Sequence, residues 1–427
     1  MTLTDTDLYQ ALCVTIALLG AIYLLTWVVR RLKRSREGLD IGRQVAIAFG
    51  LRWLAAVALG QLSIARDLRG GDELRFMSDA KDIAAQSLSS PDSVDALTSQ
   101  FHTFWFSLHF RVLDGAPPEL LLRTEMVLFS TVGLALLCAG VWELGGPRPA
   151  RIAAWILALE PANIFFSSLI HKEPLMYLAE GLVVFGGAVL WKRGKLTALI
   201  PMVIGCLLAM ATRPYVGWFL TGAAAAVVLH ASLTRQRGLR SLALTCTCAV
   251  LAVAFIPVVW NQSSDQKLTE LQQSQNANSA DGANLSLERV DYSTREKLII
   301  NLPKRIKDII FRPYLWQTQN TSQQLGAIGT LFVLACLALL AAAIARNRKQ
   351  IMDMAGPLVY PAAFMLVAYA ISAGNAGTAY RYRTHLVGLS VCLVLVLLAH
   401  RRQEQEGLAR KPVRPGLRHV TRTRTAT

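Results

Sequence analysis

Two adjacent carboxylates, Asp72 and Glu73, follow the glycine pair Gly70 and Gly71 and precede Leu74, Arg75 and Phe76. Paired glycines let a chain leave a preceding element sharply. A carboxylate fixed just past such a turn can act as a general base toward a hydroxyl, provided nearby positive charge or burial tunes it. The same acids would also suit the N-terminus of the helix that starts near Leu74, where negative charge is favoured. No cofactor is required by the sequence, although a divalent cation beside Asp72 and Glu73 is compatible with it.

Cationic residues recur in short polar segments further along. The stretch Ser167–Pro174 carries His171, Lys172 and Glu173 in a turn that needs no ionisable residue, and Pro174 suits the first turn of a following helix. Arg213, Pro214 and Tyr215 form a second such segment, and Arg312, Pro313 and Tyr314 a third. A fourth runs from Gly374 to His385 and contains Arg381 and Arg383 with tyrosines between them. Guanidinium forks grip phosphate oxygens in two-pronged contacts. Lys172, Arg213, Arg312, Arg381 and Arg383 are therefore candidate phosphate ligands, with His171, Glu173 and Tyr215 beside them. The aromatic run Phe101–Phe110 reads as a half-embedded interfacial helix or a wall that stacks on a sugar ring.

Something must hold these segments at one surface. Of the 427 residues 53% are hydrophobic and 17% charged, and the mean hydropathy is +0.38. The apolar residues gather in runs of about 17 to 25, the length that crosses a bilayer as a helix. Eleven runs are legible: Ala11–Val29, Val45–Ala65, Leu121–Leu144, Ile152–Leu169, Leu175–Leu190, Leu196–Ala211, Val216–Leu233, Leu242–Val259, Leu325–Ala345, Ala355–Ala373 and Leu386–Ala399. The fold class this implies is an all-α polytopic membrane protein with about eleven transmembrane helices. Residues 1–400 form one transmembrane domain. Its two long outer loops, 66–120 and 260–324, contain interfacial helices.

More than half of the 44 basic residues fall after alternate runs, from Arg30 to the 401–427 tail. The positive-inside rule makes that side cytoplasmic, so the N-terminus is expected outside and the C-terminus inside the plasma membrane. The first run then reads as an uncleaved anchor. The basic tail reads as a disordered segment near anionic lipids, and nucleic acid is not expected as a partner, because no aromatic residue interleaves its charges. All seven cysteines lie in apolar runs without metal spacing, which gives neither a disulfide framework nor a metal site. Leu298–Ile310 shows the apolar spacing of an amphipathic interfacial helix, and Asn261–Asn284 the composition of a mobile segment. Arg52 and Glu160 stand inside apolar runs, where charge is expensive; they could pair, and Glu160 is a further site candidate.

The chain resembles the C-type superfamily of integral-membrane glycosyltransferases. Asp72, Glu73, Arg75 and Phe76 are similar to the acidic motif in the first outer loop of the protein mannosyltransferases and lipid A aminoarabinose transferases, with Phe76 where a tyrosine is usual. Glu160, Pro161, Ser167, Lys172 and Glu173 resemble a family segment at a span end, and Gly374 to Arg383 a last-outer-turn arginine motif. The family's acidic motif follows the first span, whereas here it follows the second. The resemblance implies a polyprenyl-phosphate-linked sugar as donor, Asp72 as base with Glu73 adjacent, and an envelope glycan, lipid or protein as acceptor. Two other readings remain open. One is a polysaccharide polymerase or ligase that acts on lipid-diphosphate-linked glycans through the arginines. The other is a lipid or glycan transporter, which the lack of internal repeats disfavours.

Overall fold

The computed structural model describes residues 5–61, 71–113, 116–234, 264–280, 287, 290–312, 314, 316, 321–348 and 350–409. Among them the chain is entirely helical, without strands. Among the described residues eight helices are long and apolar enough to cross a membrane, which makes this a multi-pass membrane protein. In chain order they are α1 (Asp5–Arg34), α2 (Gly42–Gln61), α6 (Glu119–Gly145), α9 (Glu173–Arg193), α11 (Pro214–Thr234), α14 (Thr321–Asn347), α15 (Ile351–Ser372) and α16 (Ala376–Ala409). Between α2 and α6 lie three short helices, α3 (Asp72–Ala84), α4 (Pro91–Ser99) and α5 (Phe101–Val112).

The remaining expected spans differ. The run Ile152–Leu169 breaks into α7 (Pro147–Leu159) and α8 (Pro161–Ser167). Pro161 has no amide hydrogen to continue α7. The Glu160 side chain turns back as an N-cap and accepts from the amides of Ala162 and Asn163. The run Leu196–Ala211 forms one 3₁₀ turn and the 14-residue α10 (Leu199–Thr212). At about 1.5 Å per residue, α10 covers two-thirds of a 30 Å hydrocarbon core. Leu242–Val259 lies outside the described residues, as does the 410–427 part of the basic tail.

At the centre α6 packs along α9 and α16 packs on α6, while α16 reaches α9 through the Tyr177–Thr384 and Glu180–His385 contacts. Gly133 and Gly181 sit at the α6–α9 crossing, where a Cβ on either would meet the other helix's backbone. Small residues let membrane helices approach this closely. Outward, α10 and α11 pack on α9, and α15 on α11 and α16. Much of α1 leaves apolar side chains such as Leu12, Ile16 and Tyr23 exposed, as lipid-facing positions are.

Both polar loops meet the same end of this bundle. In the first, Arg111 donates to the Ile83 and Gln86 carbonyls and closes α5 onto the end of α3. Glu125 of α6 accepts from Trp105 Nε1 at 2.7 Å and lies 2.9 Å from His109 Nε2, which fixes α5 to the bundle. In the second loop, α13 (Arg295–Phe311) is capped by Thr294 and buries Arg305 and Asp308 beside Ile309, while Ile299 and Ile300 stay exposed. The stretch read as mobile contains α12 (Asp265–Ala280), whose Leu268 is buried and whose Gln272 accepts from the Tyr292 amide. The opposite end is basic and tied by Glu143, which bridges Arg36 and Arg193 at 2.8 Å each.

Candidate functional site

Asp72 is the first residue of α3 and remains 46% exposed. Its Oδ2 accepts from Arg381 Nη1 at 2.8 Å. Arg381 stands in the second turn of α16, 309 residues away in sequence. The same Nη1 lies 3.3 Å from His171 Nδ1, and that ring nitrogen is 3.6 Å from Glu173 Oε2. Glu173 begins α9, and its Oε1 accepts from Arg213 Nη2 at 2.6 Å. The Arg213 guanidinium covers the Tyr382 ring at 4.6 Å, and the Tyr382 hydroxyl lies 3.5 Å from that of Tyr215. Lys172 Nζ lies 5.5 Å from the centre of the Phe76 ring, whose edge also meets His171 and His102. The structure therefore brings together Asp72, His171, Lys172, Glu173, Arg213, Tyr215 and Arg381 from four separate stretches of sequence.

Their protonation follows from burial and neighbours. Burial pushes the Asp72 carboxyl up, but the charge and hydrogen bond of Arg381 outweigh it and hold Asp72 below its ordinary value. Burial lowers His171 to about 4, so its imidazole is neutral and Nδ1 can accept from Arg381. Burial, helped by the nearby Arg213 charge, lowers Lys172 to about 8.

Glu73 belongs elsewhere. Neighbouring side chains on a helix point about 100° apart, and Glu73 turns into the protein, where its residue is 4% exposed. Its Oε2 takes Arg123 Nη2 at 2.7 Å, and its Oε1 takes the Ile170 amide at 2.7 Å. Arg123 also donates to the Ser168 carbonyl at 3.0 Å. The pair thus shapes the turn that presents His171 and Lys172. Asp72 and Glu73 each face a different arginine, Arg381 and Arg123 respectively.

Two expected phosphate ligands are also engaged in structure. Arg383 donates to the carbonyls of Ile310 and Arg312 at 3.2 and 3.0 Å and to Thr330 Oγ1 at 3.1 Å. It satisfies the carbonyls at the end of α13 and joins that helix to α14 and α16. Arg312 Nε lies 3.2 Å from Asp308 Oδ1, one turn back. Glu160 is the cap of α8 described above. Arg52 contributes to the same break, donating to the Leu157 carbonyl at 3.0 Å and to Asn163 Oδ1 at 2.7 Å.

Sequence reading missed several charged residues inside the spans. Arg123 and Glu125 sit in the apolar run of α6. Glu180 sits in that of α9, with its Oε1 2.7 Å from His385 Nδ1 of α16. The His385 ring stacks on Tyr177 at 4.2 Å, and Tyr369 stacks on Tyr382 at 4.5 Å, which leads back to Arg213. A cavity of about 20 Å³ beside Glu180 and His385 has room for one water. A larger groove of about 610 Å³ opens between α1, α2, α3 and α6. Val14, Val57, Met77, Leu120, Glu73 and Arg123 are among its lining residues.

The site thus presents a solvent-accessible carboxylate with Arg381, a neutral imidazole, Lys172 and the Glu173–Arg213 pair at one end of a membrane bundle. That set can deprotonate a hydroxyl and bind an anion. No family model, curated protein or solved structure matches the chain.

Proposed function

We propose that the protein is a membrane glycosyltransferase that moves a sugar from a polyprenyl-phosphate donor to an envelope acceptor at the outer face of the plasma membrane. The observation that carries this reading is the 2.8 Å contact of half-exposed Asp72 with Arg381, beside Lys172 and the Glu173–Arg213 pair. A base and phosphate-binding cations in reach of a lipid headgroup are what such a transfer needs. The orientation rests on the charge bias of the loops, which places the site end outside with the N-terminus and the basic end in the cytoplasm.

Asp72 takes the proton of the acceptor hydroxyl. The acceptor oxygen forms a bond to the sugar's anomeric carbon while the bond from that carbon to the phosphate oxygen breaks. The polyprenyl phosphate departs with the bonding electron pair, and Arg381 and Lys172 stabilise its growing charge, while Arg213 stays on Glu173 behind them. His171 stays neutral and supports Arg381. The groove of about 610 Å³ shares Glu73 and Ile170 with the scaffold beneath Asp72, and Val14, Val57, Met77 and Leu120 make part of its wall apolar, where a hydrocarbon chain would lie.

The polymerase or ligase reading rests on arginines without a base, and the backbone bonds of Arg383 leave it less support. The transporter reading gains the intramembrane Glu180–His385 pair, but the cavity of about 20 Å³ there is too small for a lipid or a glycan. Asp72→Asn is expected to lower sugar transfer from a short polyprenyl-phosphate donor by about 10²- to 10⁴-fold, with the protein still inserted and folded. Near-normal transfer in that variant would return the polymerase reading to the front.

A further inference from the structure

The proposed base and the proposed phosphate ligand are bonded to each other. Asp72 Oδ2 and Arg381 Nη1 are 2.8 Å apart, and that nitrogen is also shared with His171 Nδ1. A carboxylate neutralised by a guanidinium is a weak base, and its proton affinity is held below the ordinary value for that reason. A guanidinium committed to a carboxylate is likewise a weaker anion ligand. Transfer needs the opposite of both: a free carboxylate and a cation on the phosphate.

The surroundings allow the exchange. Arg381 is 22% exposed and Asp72 46%, so an incoming phosphate can reach the pair from solvent. Glu173 is already neutralised by Arg213 at 2.6 Å and does not compete strongly for Arg381. The neutral His171 imidazole stays beside Arg381 whichever anion it serves. Among the described residues Arg381 is the cation within ion-pair distance of Asp72.

We infer that Arg381 is an exchangeable clamp: it holds Asp72 until the donor's phosphate draws it away, so that the base is released only when donor is bound. This rests on the donor reading above. It ties the order of events to one side chain: donor first, then proton abstraction from the acceptor. Acceptor bound alone meets a clamped base, and hydrolysis or mis-timed deprotonation is suppressed.

The test is a double-mutant cycle on binding, which needs no turnover. Farnesyl phosphate is titrated into the full-length detergent-purified protein as wild type, Asp72→Asn, Arg381→Gln and the double variant, with thermal melting as the folding control. Breaking the clamp with Asp72→Asn is expected to tighten binding about tenfold, the scale of one charged hydrogen bond. Arg381→Gln is expected to weaken it by a similar factor. In the Arg381→Gln background, Asp72→Asn is expected to change affinity less than about twofold. Equal tightening with and without Arg381 would mean that Asp72 repels phosphate directly and would overturn the clamp. So would unchanged or weaker binding in Asp72→Asn alone. Absence of saturable binding in both wild type and Asp72→Asn would instead overturn the donor reading itself, and the clamp with it. If Arg381→Gln does not fold, Arg381→Lys serves, since it keeps the charge and loses the two-pronged contact.

Discussion

Lys172 shows how a single half-buried cation gives the site a pH limit. Burial and the Arg213 charge lower it to about 8. Below that value the ammonium is charged and attracts phosphate; as pH rises through it the charge is lost. Farnesyl phosphate affinity in the wild type is therefore expected to fall on the alkaline side of about pH 8, and Lys172→Arg to remove that limb, because a guanidinium stays charged there. A limb that persists in Lys172→Arg would take Lys172 out of the anion site. The sequence made Lys172, Arg213 and Arg381 legible, because cations on the side that the charge bias disfavours ask for a reason. It could not separate Asp72 from Glu73. That distinction depends on Arg123, which is 50 residues further on and hidden in an apolar run. Nor could it tell Arg381 from Arg383. The two differ in what their helix turns toward, Asp72 for one and the carbonyls of α13 for the other.

Helices that sit on the bundle depend on a few polar ties, and one of these titrates. His109 of α5 pairs with Glu125 of α6 at 2.9 Å. Burial alone would lower the histidine, but the Glu125 hydrogen bond and charge outweigh it and raise it above its ordinary value. A raised folded-state value means that the pairing stabilises fully below the unfolded value of about 6.5 and is lost as pH rises through the folded one. Hydrogen exchange in α5 is therefore expected to speed up as pH climbs beyond that range, after correction for intrinsic rates. Glu125→Gln should flatten this dependence; an unchanged profile would assign the docking of α5 to its apolar face. Helix positions were largely legible, since apolar length alone marks α1, α2, α6, α9, α11, α14, α15 and α16. The break at Glu160 was not, although Glu160 and Pro161 were both noticed. Read as a charge inside a span, the glutamate suggested a partner such as Arg52. It is instead the residue that ends one helix and starts another.

At the scale of the whole molecule, several buried polar side chains among the described residues are paired across helices, as Glu73 is with Arg123 and Glu173 with Arg213. Glu180 and His385 hold α9 to α16 at 2.7 Å. Removing one partner, as in Glu180→Leu, is expected to cost about 3–5 kcal/mol in stability, whereas replacing both with apolar residues should be near neutral. Thermal midpoints of the single and double variants in one detergent decide this. A mild single variant would mean that the pair contributes little. Global orientation has its own check: a reporter inserted at Asn278 is expected outside and one at Gln350 in the cytoplasm, and reversal of both would move every candidate residue to the other compartment. The long reach of the Asp72–Arg381 contact also has a consequence in time. A membrane protein is threaded into the bilayer from its N-terminus while it is being made. Asp72 emerges early, and Arg381 only after some three hundred further residues have been synthesised. Half-finished chains therefore carry the acid without its arginine, and the pair closes only once α16 arrives to join the two.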